Sequence, residues 1–186
     1  SGGRNTAIGY EALSVEDETG YAVAVGYQAL RVQNSGGNSY NVAVGYNAGE
    51  AVSTGIENTL LGGKAGGALT TGGGNVALGY AALSAEDTGT RNTALGWNSL
   101  LVLDVGGTGN NTALGYASAK AISTGTKNTV VGSSAGDALT TGNNNIIIGF
   151  EAAASAVDVS NEITLGDSNI SAIRAQVTSI SSLSDK

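Results

Sequence analysis

The 186-residue chain contains 30 glycines and no proline, histidine or cysteine, and its formal net charge is −7. Without histidine or cysteine it lacks the groups that build structural zinc sites, His-based catalytic triads and disulfide bonds. The negative charge argues against a nucleic-acid partner, and no stretch approaches the roughly 20 apolar residues that span a membrane.

A short phrase returns along the chain, an aliphatic run that ends at a glycine. It first occurs as NTAIG at residues 5–9 and last as EITLG at 162–166. The ten marker glycines are Gly9, Gly26, Gly45, Gly62, Gly79, Gly96, Gly115, Gly132, Gly149 and Gly166, spaced by 17, 19, 17, 17, 17, 19, 17, 17 and 17 residues. A fixed short period indicates one structural unit stacked on copies of itself. The sequence therefore predicts an all-β fold, a parallel β-solenoid of about ten turns over residues 1–166.

The residues before each marker glycine alternate in size. The residue directly before it is always aliphatic, and the residue two before it is alanine in six of ten turns. Neighbouring strand residues point to opposite faces. We expect the large aliphatic face to fill the inside of the coil, and the Ala/Gly face to be flat enough for another backbone to approach.

Two polar positions predict corners. Asparagine stands four residues before the glycine in eight turns, and Thr-Gly recurs six or seven residues before it. Asparagine tolerates a left-handed conformation and bonds to its own backbone. We therefore interpret the asparagines as a stacked corner ladder rather than as a ligand-binding stripe.

Aromatic residues form a column directly after the glycine. Its members are Tyr10, Tyr27, Tyr46, Tyr80, Trp97, Tyr116 and Phe150. Two interpretations are open, a packing ladder between turns or subunits and a row of exposed rings on which sugars stack. Tyrosine is amphipathic and suits either site. The strictness of the column favours packing.

A four-turn block of 70 residues is duplicated. The long turns coincide, Gly36-Gly37 matches Gly106-Gly107, and Glu16-Asp17 matches Glu86-Asp87. Longer loops on one edge of a solenoid commonly carry its contacts. The candidate loops are 14–20, 31–40, 84–91 and 101–110. The candidate receptor contacts within them are Arg31, Gln33, Asn34, Asn38, Asp104, Asn110, Glu16, Asp17, Glu86 and Asp87.

The repeat ends near residue 167. Residues 167–186 place apolar side chains at Ile170, Ile173, Val177, Ile180 and Leu183. Such a narrow stripe cannot form a core alone. We predict a trimerisation or stalk segment that needs partner chains, either helical or built from extended strands.

The repeated N-(T/V)-A-(I/L/V)-G-Y phrase resembles two families. Over residues 5–166 it is similar to the head repeats of trimeric autotransporter adhesins, and more closely to repeats of bacteriophage tail fibres and tailspikes. The final segment resembles the one that precedes an endosialidase-type intramolecular chaperone. This likeness implies a homotrimer of left-handed coils, further fibre at the N-terminus, a downstream chaperone domain and a cleavage junction at Ser184 and Asp185.

The expected function is a virion attachment module that presents edge loops to a glycan or protein receptor on the host surface. Alternatives are an adhesin head on a bacterial surface, a passive shaft and a tailspike glycan depolymerase. Glycosidases place two carboxylates about 5–10 Å apart. The duplicated acidic pairs are four turns apart, about 19 Å on one coil. We therefore expect that the chain is not an enzyme. Its composition also leads us to expect no cofactor, no metal site and no membrane insertion.

Overall fold

The computed structural model describes residues 3–16 and 20–173, and this part of the chain is a single ladder of ten short parallel strands. The strands are β1 Thr6–Ile8, β2 Val23–Val25, β3 Val42–Val44, β4 Thr59–Leu61, β5 Val76–Leu78, β6 Thr93–Leu95, β7 Thr112–Leu114, β8 Thr129–Val131, β9 Ile146–Ile148 and β10 Ile163–Leu165. They lie in chain order, and each residue pairs with its equivalent in the next turn. The predicted all-β solenoid is confirmed, whereas trimer formation and the handedness of the coil stay predictions.

The marker glycine directly follows each strand, at a position where the backbone leaves no room for a side chain. Gly79 has φ 133°, and a Cβ atom at this position would lie 2.5 Å from the carbonyl oxygen of Gly96 in the next turn. Only glycine tolerates both the dihedral angle and the close backbone approach. The glycine period of the sequence is therefore the stacking period of the coil.

The prediction about which strand face is inside was wrong. The small residue two before the glycine points inward, as Ala77 does with no exposed surface, whereas the aliphatic residue next to it points out. Leu78 is 41% exposed and Ile8 60%. The alternation itself was correct, but the thin coil has room for only a small side chain on this wall, because leucines from the opposite wall fill the interior.

Side-chain size is balanced across the core. Leu60 replaces the usual alanine in β4, and the structure makes room with two glycines. A Cβ atom at Gly49 would lie 2.6 Å from Leu60 Cδ1, and one at Gly66 would lie 2.7 Å from Leu60 Cδ2. In the following turn Ala77 returns and Leu83 is fully buried. Such close packing means that core volume changes are felt directly.

In the residues that the structure describes, no helix has the length and apolar character needed to cross a membrane.

Candidate functional site

The asparagine column is an internal ladder. The side chains of Asn41, Asn58, Asn75, Asn92, Asn111, Asn128 and Asn145 are buried. The Oδ1 atom of Asn58 accepts the backbone N–H of Asn75 at 3.0 Å, and its Nδ2 donates to the Gly72 carbonyl at 2.9 Å. The predicted ladder is present. It bonds to the next turn rather than to its own backbone, and it does not face a ligand.

The left-handed residue at this corner is the one before the asparagine, which corrects the predicted corner geometry. Glu57 has φ 61°, Arg91 60° and Lys127 59°. These residues precede Asn58, Asn92 and Asn128. The asparagine itself stays out of the left-handed region, so that its side chain is directed into the coil.

The aromatic column is a stacked ladder along one edge of the sheet. Ring centroids are 5.3 Å apart for Tyr10 and Tyr27, 5.4 Å for Tyr27 and Tyr46, and 5.0 Å for Trp97 and Tyr116. These rings therefore stack between neighbouring turns. Yet the rings remain about half exposed, Tyr46 at 55% and Phe150 at 63%. The rings therefore stack on one another between turns and still expose aromatic surface to the solvent.

The first ring of the ladder belongs to a small hydrogen-bond network. The Glu11 carboxylate accepts from Gln28 Nε2 at 2.7 Å. This bond lowers the pKa of Glu11, and a hydrogen bond with Glu11 raises the pKa of Tyr10. A carboxylate with two donors keeps its charge more easily than a free one. The network ties the outermost turn to the next.

A second aromatic cluster lies at the other end of the strands, and the sequence analysis missed it. Tyr21 stacks on Tyr40 with ring centroids 5.4 Å apart, and the Arg4 guanidinium lies 5.3 Å from the Tyr21 ring. Asn38, in the 31–40 loop, donates to the Tyr40 hydroxyl at 3.2 Å. The signal was available, since both tyrosines stand five residues before a marker glycine.

Two of the predicted receptor contacts are internal instead. Gln33 and Glu86 have no exposed surface. Gln33 donates to Ser39 and to Glu16, both at 3.0 Å, and accepts from Asn41 at 2.7 Å. These contacts hold the 31–40 loop on to the coil. Both residues support their loops and are not available to a ligand, because these two side chains turn inward.

The Glu86 carboxylate closes the 84–91 loop. It accepts the backbone N–H of Gly89 at 2.7 Å and that of Val105 at 3.3 Å. Burial raises the pKa of the Glu86 carboxyl, while the two N–H groups act in the opposite direction and the nearby Asp104 adds to the rise. Desolvation disfavours the charged form of a buried acid. The 84–91 loop is therefore held by a buried carboxyl group whose pKa is above its ordinary value.

The remaining predicted contacts lie at the surface or outside the described residues. Asn38, Asp87, Asp104 and Asn110 are exposed, and Glu16, Arg31 and Asn34 are partly buried. Arg31 pairs with Glu50 at 3.2 Å. Asp17, Ser184 and Asp185 lie outside the described residues. The structure thus separates the candidates into supports and surface residues without gathering them into one site.

No metal site emerges from the described residues, in which no three Asp or Glu side chains cluster closely enough to hold an ion. Comparisons of the chain with protein-family models, curated proteins and solved structures found no match. The likeness to tail fibres and adhesin heads therefore depends on the repeated sequence phrase alone.

Proposed function

We propose that this chain is the structural and receptor-attachment module of a phage tail fibre or tailspike. In this proposal three copies associate through the outer faces of their sheets, and the exposed edges of the resulting shaft bind a glycan on the host surface.

The outer face of the sheet is the observation that carries the proposal. The first and third residues of each strand face outward: every third residue is aliphatic, every first residue is aliphatic or threonine, and none is charged. Leu78, Leu95 and Leu114 are 41%, 38% and 42% exposed in the single chain, and Val76 is 37% exposed. Soluble monomers rarely expose a continuous apolar patch larger than a few hundred Å². A face of this kind along all ten strands favours burial against copies of the same chain.

Attachment is supported by the composition of the edges. The aromatic ladder and the Tyr21–Tyr40 pair are half exposed, and the longer loops of the two blocks lie on the surface. These surfaces are shallow, so a single contact would be weak. Three copies in one shaft raise the overall avidity without any deep pocket.

Binding of the fluorescently labelled protein to intact cells of candidate host bacteria tests this function. We expect saturable binding that disappears when the surface polysaccharide is removed. A version in which loops 31–40 and 101–110 are exchanged would show which block carries the contact. Failure to bind any cell type would leave a passive shaft and would contradict the attachment role.

A further inference from the structure

The aromatic ladder is interrupted at Gly63, and this break leaves one ring face uncovered. Tyr46 stacks on Tyr27 with one face, and the next turn offers Gly63 in place of a ring. The Tyr80 ring leans on the far side of the gap, where a Cβ atom at Gly63 would lie 3.3 Å from Tyr80 Cδ2. Tyr46 is 55% exposed, so its free face borders open space.

A groove of about 480 Å³ lies beside Tyr46, next to this break. Tyr46 lies on one side, Gly67 and Ala68 contribute to the lining, and Asn47, Glu50, Lys64 and Ser84 add polar groups. Ligand sites commonly have volumes of about 300–1,000 Å³ and combine an apolar surface with a few placed polar groups. The groove therefore has the size and the mixed lining of a small-ligand site.

Its two charged residues are in different situations. The Glu50 carboxylate is held by Arg31 at 3.2 Å and by the Asn47 side-chain amide. The exposed Lys64 ammonium has neither an ion-pair partner nor a hydrogen-bond partner within residues 3–16 and 20–173. The negative charge is thus already compensated, and the positive charge is available to an anionic ligand.

The duplicated block provides an internal comparison. Tyr116 is the equivalent of Tyr46 and Ser133 that of Gly63, 70 residues later. There Lys120 stands at the Glu50 position and Asp137 at the Gly67 position, and the two form an ion pair at 3.5 Å. The available lysine is absent too, since Ser134 stands at the Lys64 position. Only the first block combines an uncovered ring face with an available cation.

We propose that this groove binds a hexuronate unit of a surface polysaccharide, with the sugar ring stacked on Tyr46 and the carboxylate paired with Lys64. The inference deepens the proposed attachment function and rests on it for the origin of the ligand. A pyranose has an apolar C–H face that suits an aromatic ring, and hydroxyl groups that suit Asn47 and Ser84. Its carboxylate supplies the negatively charged partner for the Lys64 ammonium group.

Two matched tetrasaccharides test the site, a β-1,4-linked glucuronate and a β-1,4-linked glucose. They differ only at C6, which is a carboxylate in glucuronate and a hydroxymethyl group in glucose. Each is titrated into the intact protein assembly and followed by calorimetry and by the Tyr46 ring signals in NMR spectra. We expect the glucuronate to bind with a Kd of about 1 mM or below and the glucose at least about tenfold more weakly. Equal binding of both sugars, or binding of neither, overturns the proposal.

Substitutions locate the site. K64A should reduce glucuronate affinity to the level of glucose, and Y46A should abolish the binding of both. G67D should also weaken it, and the fold accepts aspartate there because Asp137 occupies the equivalent position. Y116A is the matched control and should bind as wild type does. If Y116A loses as much affinity as Y46A, the proposal is wrong.

The mass of each variant in solution completes the test. A Y46A protein that loses its oligomeric state would place Tyr46 in the subunit interface and overturn the proposal. Cell binding that survives K64A and Y46A unchanged contradicts the groove and leaves the attachment function intact. Sugar binding without cell binding contradicts the attachment function and leaves the groove intact.

Discussion

The side-chain oxygen of Asn58 accepts the backbone N–H of Asn75 at 3.0 Å, one full turn further along the coil. The same side chain donates to the Gly72 carbonyl at 2.9 Å. Asn58 therefore orders the turn that follows it and satisfies two backbone groups that no strand reaches. In a Gly-rich chain such bonds offset part of the entropy that ordering the backbone costs.

Asn58→Ala should strongly destabilise the coil. The substitution leaves the N–H of Asn75 and the carbonyl of Gly72 buried without a partner, at about 1–3 kcal/mol for each group. Urea unfolding at a fixed chain concentration measures the loss. Asn38→Ala is the control, since this exposed side chain donates to the Tyr40 hydroxyl at the surface, and it should change stability by less than about 0.5 kcal/mol. Equal losses in both variants would contradict the ladder's role.

Gly79→Ala should prevent stacking of two turns. Its Cβ atom would lie 2.5 Å from the Gly96 carbonyl oxygen, at a φ of 133° that alanine rarely adopts. We expect a loss of several kcal/mol, or insoluble protein. A Cβ atom at Gly107 meets no atom of the described residues within 4 Å, so Gly107→Ala should be tolerated. Comparable yield and thermal midpoint for the two proteins would show that the glycine column is not a stacking requirement.

Leu60→Ala should leave a cavity. The side chain is fully buried and fills the space beside Gly49 and Gly66, which have no side chains to take its place. Truncation of a buried leucine costs about 2–5 kcal/mol. Val102→Ala, at a position 43% exposed, should have little effect. Denaturant midpoints of the two variants decide, and similar midpoints would contradict the core described above.

Glu86 should make stability depend on pH. Its pKa is raised in the folded state, chiefly by burial, so the stability linked to its protonated form is present at low pH and is lost as pH rises through the folded-state pKa. Relative to E86Q, the wild-type protein should become less stable as the pH rises above the ordinary glutamate pKa of about 4.3. Glu162, whose pKa is lowered by its hydrogen bond from Ser155, shifts in the other direction and is common to both proteins. A stability difference that is constant with pH would contradict the buried charge.

The number of turns, and the place of a strand before each marker glycine, could be predicted because every turn repeats one local pattern. The side of the sheet that faces the core could not, since alternation is symmetric and gives no direction by itself. The direction depends on the opposite wall, where Leu83 and Leu100 fill the space that Ala77 and Ala94 leave. Larger residues were expected inside for reasons that hold in a monomer. This expectation fails here because the large aliphatic side chains of the strands lie on the outer face of the single coil, which is therefore an apolar surface.

The candidate site was less predictable for a related reason. Gln33 and Glu86 lie in polar loops, and polar loop residues are usually exposed. Their burial depends on contacts from other turns, such as Val105 N–H on Glu86, which neighbouring sequence does not reveal. The sequence shows the gap in the aromatic column at Gly63, but it does not show the groove beside it. Its meaning required the positions of Glu50, Lys64 and Gly67 around the uncovered ring.

If three chains meet across the outer faces of their sheets, light scattering of the purified protein should give the mass of the trimer. We expect a mass of three chains for the wild type and for Thr71→Lys, a control at an exposed position away from the strands. The double variant L78K/L95K places charges on the outer face and should give one chain with an unchanged β-type circular dichroism spectrum. A wild-type protein that is a stable monomer, or a double variant that keeps the mass of three chains, would contradict trimer formation through this face.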